Sequence, residues 1–284
     1  MPSYVVSGAS RGLGYAFIKV LASDPANKVI GLARDKKATE DRLKEDGFRN
    51  VHILTADVTD EAALRQAAAE SSRLLDGKGL DVLINNAGYV SDMSQLKPLT
   101  EFEDDIPGIV DDAQKSFNVN VIGVLRTTYA FLPLIQQGDL KKVATISSGM
   151  GDLDFVNEFG VFQAAPYAVS KAATSLLVAK FQAGYRDQGI LFFSICPGLV
   201  DTDATRTSPN FGQLSLATEE NLARLAKIAA LFQEKGVVGG PPMDPMVAAR
   251  RSLAAIDRFS LEGGYGGSLL SHNGTRRWME PAEE

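Results

Sequence analysis

The chain has little of several things that chemistry often needs. Its 284 residues include a single cysteine, two histidines and one tryptophan. Cys196, being alone, makes no internal disulfide and no cysteine-rich zinc site, and no metal centre is expected. Its neighbours Phe192, Phe193 and Ile195 predict a buried, inert thiol, with no electropositive surroundings to activate it. No apolar run approaches the ~20 residues that span a bilayer. Met1 leads almost directly into Tyr4-Val5-Val6, without the basic and hydrophobic regions of a signal peptide, so a cytoplasmic location is expected. An excess of basic residues is also missing. The net charge is -6, which excludes a general nucleic-acid binder, although a small anionic cofactor can still bind where a few cations and backbone amides converge. There is no internal repeat or low-complexity linker. One domain over 1–284 is expected, with 203–245 as a substrate-loop and helix region and 271–284 as a tail.

What is present is an alternation. Residues 3–7, 28–33, 51–55, 81–84, 142–146 and 190–195 read as short strands, and 263–270 close on a last one. Helical patterns fill 12–21, 36–46, 60–75, 106–135, 167–187, 219–234 and 246–259. This order predicts an α/β fold: a doubly wound parallel sheet of the Rossmann kind, with helices on both faces and ligands at the carboxyl ends of the strands.

Those ends are where the unusual residues fall. After the first strand comes Gly8-Ala9-Ser10-Arg11-Gly12-Leu13-Gly14, a turn that opens a helix. Glycines let backbone approach a ligand, and a helix N-terminus offers unpaired N–H groups to phosphate. After the second strand comes Ala33-Arg34. An acid there would bind a ribose 2′-hydroxyl, whereas arginine suits a 2′-phosphate, and Arg11 supplies a second cation; this predicts NADPH in preference to NADH. Asp35 is the rival ribose ligand if the register slips. Asp57 ends the third strand in a turn, and Asp60 reads as a helix N-cap. His52 lies early in its strand and is read as structural. The fourth strand runs into Asn85-Asn86-Ala87-Gly88, small and polar enough to meet a flat ligand. Asn118 and Asn120 fall inside the helix predicted over 106–135. The fifth strand ends in Ser147-Ser148. Residues 149–165 read as irregular, with Phe155, Phe159 and Phe162 placed to wall an apolar pocket. Phe211 and Met243 are further candidates for it. The sequon Asn273-Gly274-Thr275 is read as a chance match.

One further pattern carries chemistry. Tyr167 and Lys171 are four apart on a predicted helix and therefore share a face. A cation near a phenol favours the phenolate, bringing its pKa of about 10 toward the working range. Tyr15 and Lys19 have the same spacing and follow the glycine turn, so spacing alone does not assign a function.

Taken in order, these segments resemble the short-chain dehydrogenase/reductase family over about residues 3–202, and more loosely to the end. Ser7-Gly8-Ala9-Ser10-Arg11-Gly12-Leu13-Gly14 is similar to its Thr-Gly-x-x-x-Gly-x-Gly loop, and Asn85-Asn86-Ala87-Gly88 to its Asn-Asn-Ala-Gly segment. The resemblance implies a catalytic set of Asn120, Ser148, Tyr167 and Lys171. It further implies that Gly8, Ser10, Arg11, Gly12, Leu13, Gly14, Arg34, Asp57, Val58, Asn86, Ala87, Gly88, Pro197, Gly198, Val200 and Thr202, with Tyr167 and Lys171, bind NADP(H). Arg11 and Ala33-Arg34 are similar to NADP-preferring members, and Asp57 would bond the adenine. Tyr167 would donate the proton as hydride reaches a carbonyl carbon, with Lys171 lowering its pKa. Ser148 would orient the carbonyl oxygen, although Ser147 stays open as an alternative. Asn120 would anchor a water on a proton path. The gap from Ser148 to Tyr167 is longer than usual in the family. The tail, with Trp278, is similar to small carbonyl-reducing members, including some from fungal polyketide pathways. A homo-oligomer, dimer or tetramer, would pair through the helices holding Asn120 and Tyr167. The implied function is NADPH-dependent reduction of a small apolar or aromatic ketone or aldehyde. An NAD-dependent alcohol dehydrogenase and a cofactor-sensing regulator without turnover are the alternatives.

Overall fold

The computed structural model describes residues 1–202, 218–234 and 242–275. Phe211 and Trp278 lie outside them. Strands β1 (Ser3–Ser7), β2 (Lys28–Ala33), β3 (Val51–Thr55), β4 (Val82–Asn85), β5 (Lys142–Ile146), β6 (Leu191–Cys196) and β7 (Leu269–Ser271) form one sheet. Its order is β3-β2-β1-β4-β5-β6-β7, parallel throughout.

Successive residues of a strand face opposite sides. Tyr4 and Val6 of β1, Ala144 and Ile146 of β5, and Phe193 and Ile195 of β6 join a core with α1 (Gly12–Ala22) and α9 (Pro245–Arg258). Val5, Val143 and Phe192 join a second core with α3 (Glu61–Leu74), α5 (Gly123–Gln137) and α7 (Ala165–Tyr185). Burying a large apolar side chain is worth about 1.5–3 kcal/mol, so strands apolar at every position are stable only with both faces covered. The remaining helices are α2 (Lys36–Glu45), α4 (Ile106–Phe117), α6 (Leu153–Phe159) and α8 (Glu219–Glu234). Among the described residues no helix is long and apolar enough to cross a membrane.

The strand order reverses between β1 and β4, and the crevice outside their carboxyl ends is where such sheets take ligands. Two local features differ from the sequence reading. The helix predicted over 106–135 is interrupted by a π turn, Asn118–Ile122. The wider turn releases the Asn120 carbonyl, which accepts from Thr174 Oγ1 of α7 at 2.8 Å. The stretch 149–165 is not irregular throughout. A 3₁₀ turn (Gly149–Gly151) precedes α6, whose N-cap Asp152 accepts from Phe155 N at 2.8 Å and whose C-cap Gly160 is left-handed.

Candidate active site

The glycine loop leaving β1 lies directly on the end of β4. Ser7 Oγ accepts from the N–H groups of Asn86 (3.0 Å) and Ala87 (3.1 Å), while Asn86 Nδ2 donates to Ser7 O at 3.0 Å. Gly8 has φ +69°, and a Cβ there would stand 2.8 Å from Ala87 Cα. A Cβ on Gly14 would run into Gly8 O and the Asn86 amide. Only glycine fits either position. Arg11 is the N-cap of α1, and no side chain caps the first helical N–H groups. Bare N–H groups behind a side-chain-free turn fit a pyrophosphate. Leu13 is buried in the core, so only its backbone is available to a ligand.

At the end of β2, Arg34 is exposed and close enough to Asp57 to act on its charge. Burial pushes the Asp57 carboxyl up, but hydrogen bonds from Thr59 N (2.8 Å) and Thr59 Oγ1 (2.7 Å), with Arg34 nearby, hold it below its ordinary value. Asp35, the rival ribose ligand, turns onto its own helix and caps α2 by accepting from Ala38 N at 2.9 Å. Val58 packs against Gly123 at the start of α5. A cation that the sequence reading missed also reaches this loop: Arg42 donates to Ser10 O at 3.3 Å and lies 4.1 Å over the Tyr15 ring. Tyr15 and Lys19 both bond Asp46, at 2.9 and 2.8 Å, so this Tyr-x-x-x-Lys pair ties α1 to the end of α2.

The chemical centre lies at the ends of β5 and β6. Ser148 leaves β5 in extended backbone, and its hydroxyl accepts from Met150 N at 3.2 Å. Tyr167 stands in the first turn of α7 and Lys171 one turn on, with Nζ 5.6 Å from the Tyr167 ring centroid. Lys171 is 4% exposed and donates to Ile146 O at 2.7 Å. It lies across from the Asn-Asn-Ala-Gly segment: a Cβ on Gly88 would be 3.8 Å from Nζ. Burial drives both titrations. The Tyr167 phenol is pushed up to about 12 by burial and by Cys196, with the facing Ser148 hydroxyl opposing through a hydrogen bond. Lys171 is pulled down to about 8 by burial. The Lys171 ammonium is directed at the Ile146 carbonyl, and burial of the phenol sets the direction of the Tyr167 shift.

Ser147 and Ser148 separate clearly. Ser147 is buried and bonded to α7 through Lys171 O (3.3 Å) and Ser175 Oγ (3.0 Å), leaving Ser148 to face Tyr167. Asn120 is fully buried. Its Oδ1 accepts from Tyr89 N at 2.7 Å, and its Nδ2 donates to Tyr89 O at 2.9 Å and to Ser170 Oγ at 2.8 Å. The side chain thus ties the loop after β4 to α7, while its backbone carbonyl accepts from Thr174 Oγ1. Cys196 is half-buried rather than remote. Burial pushes its thiol up, while the Gly198 and Gly149 N–H groups and Lys171 pull it down. It therefore belongs to the site's lining, though not as an activated nucleophile.

The segment after β6 closes the crevice. Gly198 is left-handed, and a Cβ there would be 2.6 Å from Met243 Cε and 3.0 Å from His272 Cε1. Val200 bridges Met243, and Thr202 lies over the glycine loop, 3.4 Å from where a Gly12 Cβ would stand. An aromatic cluster joins α6 to α8. Phe155 and Phe159 of α6 meet Phe232 of α8 with centroids 6.0 and 5.5 Å apart, and Phe162 lies under Lys227 of α8 at 5.1 Å. These phenylalanines pack on one another and on α8; Phe159 is buried.

Comparison with known proteins agrees with this geometry. A family model described as short chain dehydrogenase matches residues 3–211. The chain is a short-chain dehydrogenase/reductase. Fungal members are similar to it along their whole length. The short-chain dehydrogenase/reductase AacuF of Aspergillus aculeatus is 43% identical over 281 residues, 98% of this chain and 100% of that protein. The short chain dehydrogenase virK of Hypocrea virens is 39% identical over 285 residues, with the same shares covered. Among solved structures, NADPH-bound carbonyl reductase from chicken fatty liver superposes with a TM-score of 0.73 at 25% identity, covering 97% of this chain and 98% of that one. As a member of this family the enzyme is an oxidoreductase, and the family's cofactor is a nicotinamide dinucleotide.

Proposed function

We propose that this short-chain dehydrogenase/reductase reduces a ketone or aldehyde on a small apolar or aromatic molecule, with NADPH as the reductant. The observation that carries the proposal is the convergence of Ser148, Tyr167 and Lys171 beside the uncapped N-terminus of α1. When bound, the cofactor supplies the hydride. The Ser148 hydroxyl donates to the carbonyl oxygen and orients it. Tyr167 holds the proton that the developing alkoxide takes; its raised pKa keeps that proton in place until the alkoxide, a stronger base, draws it off. Lys171 places a positive charge beside the phenol as it loses the proton, and its unused N–H groups suit ribose hydroxyls. Asn120 holds α7 and the loop after β4 in register.

Preference for the 2′-phosphate is supported by Arg11 and Arg34, by Arg42 over the glycine loop, and by the engagement of Asp35 in capping α2. An apolar or aromatic substrate is supported by the Phe155, Phe159 and Phe232 cluster. The test is an NADPH-oxidation screen over quinones, aromatic ketones, aldehydes and polyketide-like diketones, with Tyr167→Phe as control. Consumption that depends on Tyr167 supports the proposal. Cofactor binding with no consumption on any carbonyl would replace it with a sensing role, and tighter binding of NADH would replace the cofactor assignment.

A further inference from the structure

The first turn of α7 begins from a backbone conformation that its sequence does not favour. Ala164, the N-cap, is left-handed at φ 53° and ψ 42°. Side chains carrying a Cβ adopt that region only under constraint. Ala164 is 2% exposed, and no side chain caps the helix that it opens. Its N–H donates to Ser94 O at 3.1 Å, a carbonyl that also accepts from Lys97 N at 3.0 Å.

Ser94 is itself held from behind. Its hydroxyl donates to Asp112 Oδ2 at 2.6 Å, and the two residues are 1% and 3% exposed. Asp112 lies on α4, which packs against α7. Its other oxygen, Oδ1, is buried without a hydrogen-bond partner, and no Lys or Arg among the described residues forms an ion pair with it. A buried carboxylate held by one hydroxyl opposes stability and calls for a reason to be there. The geometry supplies one. The chain of contacts runs from Asp112 through Ser94 to Ala164, and Tyr167 follows three residues later on the same turn. From the other side, Asn120 holds Ser170 Oγ, which donates to Tyr167 O at 2.7 Å.

We propose that Asp112 and Ser94 are positioning residues for the acid Tyr167. They clamp Ala164 in its left-handed conformation and so set where the first turn of α7 aims the phenol. The inference rests on Tyr167 being the proton donor of the proposed reduction. Displacement of a reacting group by about 1 Å can cost 10²-fold in rate.

The experiment measures kcat, KM and NADPH affinity by fluorescence titration in the full chain. The variants are Ser94→Ala, Asp112→Asn and Ser94→Ala with Ala164→Gly. The single variants are expected to lower kcat about 10- to 100-fold with NADPH affinity and the KM for the carbonyl unchanged. Glycine adopts the left-handed region freely, so Ala164→Gly is expected to recover most of the activity lost in Ser94→Ala. Should Ser94→Ala fail to fold around the Asp112 charge, Ser94→Ala with Asp112→Asn removes donor and charge together, and the glycine rescue is read in that background. A kcat within twofold of wild type, a loss that follows NADPH affinity, or no rescue by glycine overturns the inference. A wild-type enzyme that turns over carbonyls without needing Tyr167 overturns the functional reading instead.

Discussion

Tyr167 and Lys171 are moved in opposite directions by the same burial, which gives the pH profile its shape. Lys171 loses its proton at about 8, whereas Tyr167 holds its own to about 12. The cation beside the phenol is therefore present below pH 8 and lost above it, while the phenol itself stays protonated across that range. For reduction, kcat/KM is expected to be level below about pH 8 and to fall tenfold per unit above it. Lys171→Arg, charged at every accessible pH, is expected to abolish that fall at the expense of rate. The folded-state pKa of Lys171 lies below its ordinary 10.5, so between about 8 and 10.5 the unfolded chain binds the extra proton. Its burial penalty is thus complete below pH 8 and is relieved as pH rises toward 10.5. Tyr167→Phe removes the proton and little volume. Turnover is expected to drop by at least about 10²-fold with NADPH binding nearly intact, and retained activity would exclude Tyr167 as the acid. On the proposed preference for NADPH, Arg34→Ala removes a charge-assisted contact to the 2′-phosphate worth about 1.5–3 kcal/mol. The expected rise in KM for NADPH is on the order of tenfold or more, with NADH unaffected, measured as the ratio of the two.

At the scale of elements, the strands and their carboxyl-end loops were legible because each declares itself locally. A β-branched run ends in glycine, asparagine or serine, and the order of those endings carries the family likeness. The less legible parts depended on tertiary contact. Helix α6 is too short for a helical period to register, and its caps, Asp152 and Gly160, went unread. The π turn at 118–122 leaves no pattern of its own, because it exists to hand the Asn120 carbonyl to Thr174. Arg42 read as one more charge on a solvated helix, and only the fold brings it to Ser10. Asp112 and Ser94 lie 18 positions apart and show no motif. The separation of Ser147 from Ser148 likewise needed α7 in place. On the proposal that the α6 phenylalanines meet the substrate, Asp152→Ala is expected to act on substrate rather than cofactor. Loss of an N-cap costs about 1 kcal/mol. A raised KM for the carbonyl with NADPH affinity unchanged is expected, and an equal change in both would argue against a substrate role for α6.

For the whole molecule, the sheet's two covered faces account for most of the apolar surface, but not all of it. Val110 and Phe117 of α4, Tyr129 of α5, and Val169 and Leu176 of α7 remain exposed, Leu176 at 63%. Helices that already cover a sheet have little reason to present such residues to water, and apolar surface of this kind marks association. We propose that the enzyme pairs through these helices, as the family likeness implies. Light scattering is expected to give a dimer or larger for the wild type and a smaller mass for Leu176→Glu; a monomeric wild type would rule this out.

The arrangement of β7 carries a consequence for how the enzyme comes into being. The turn at Gly198 is braced by Met243 and His272, and β6 pairs with β7 through Cys196 and Ser271. A chain is made from its N-terminus, and a domain folds as a unit. The glycine loop, Ser148 and Tyr167 all precede β7, yet the Gly198 turn meets His272 only once β7 lies beside β6. A chain cut ahead of β7 is expected to lose turnover, measured as NADPH oxidation, because that turn is left without half of its brace.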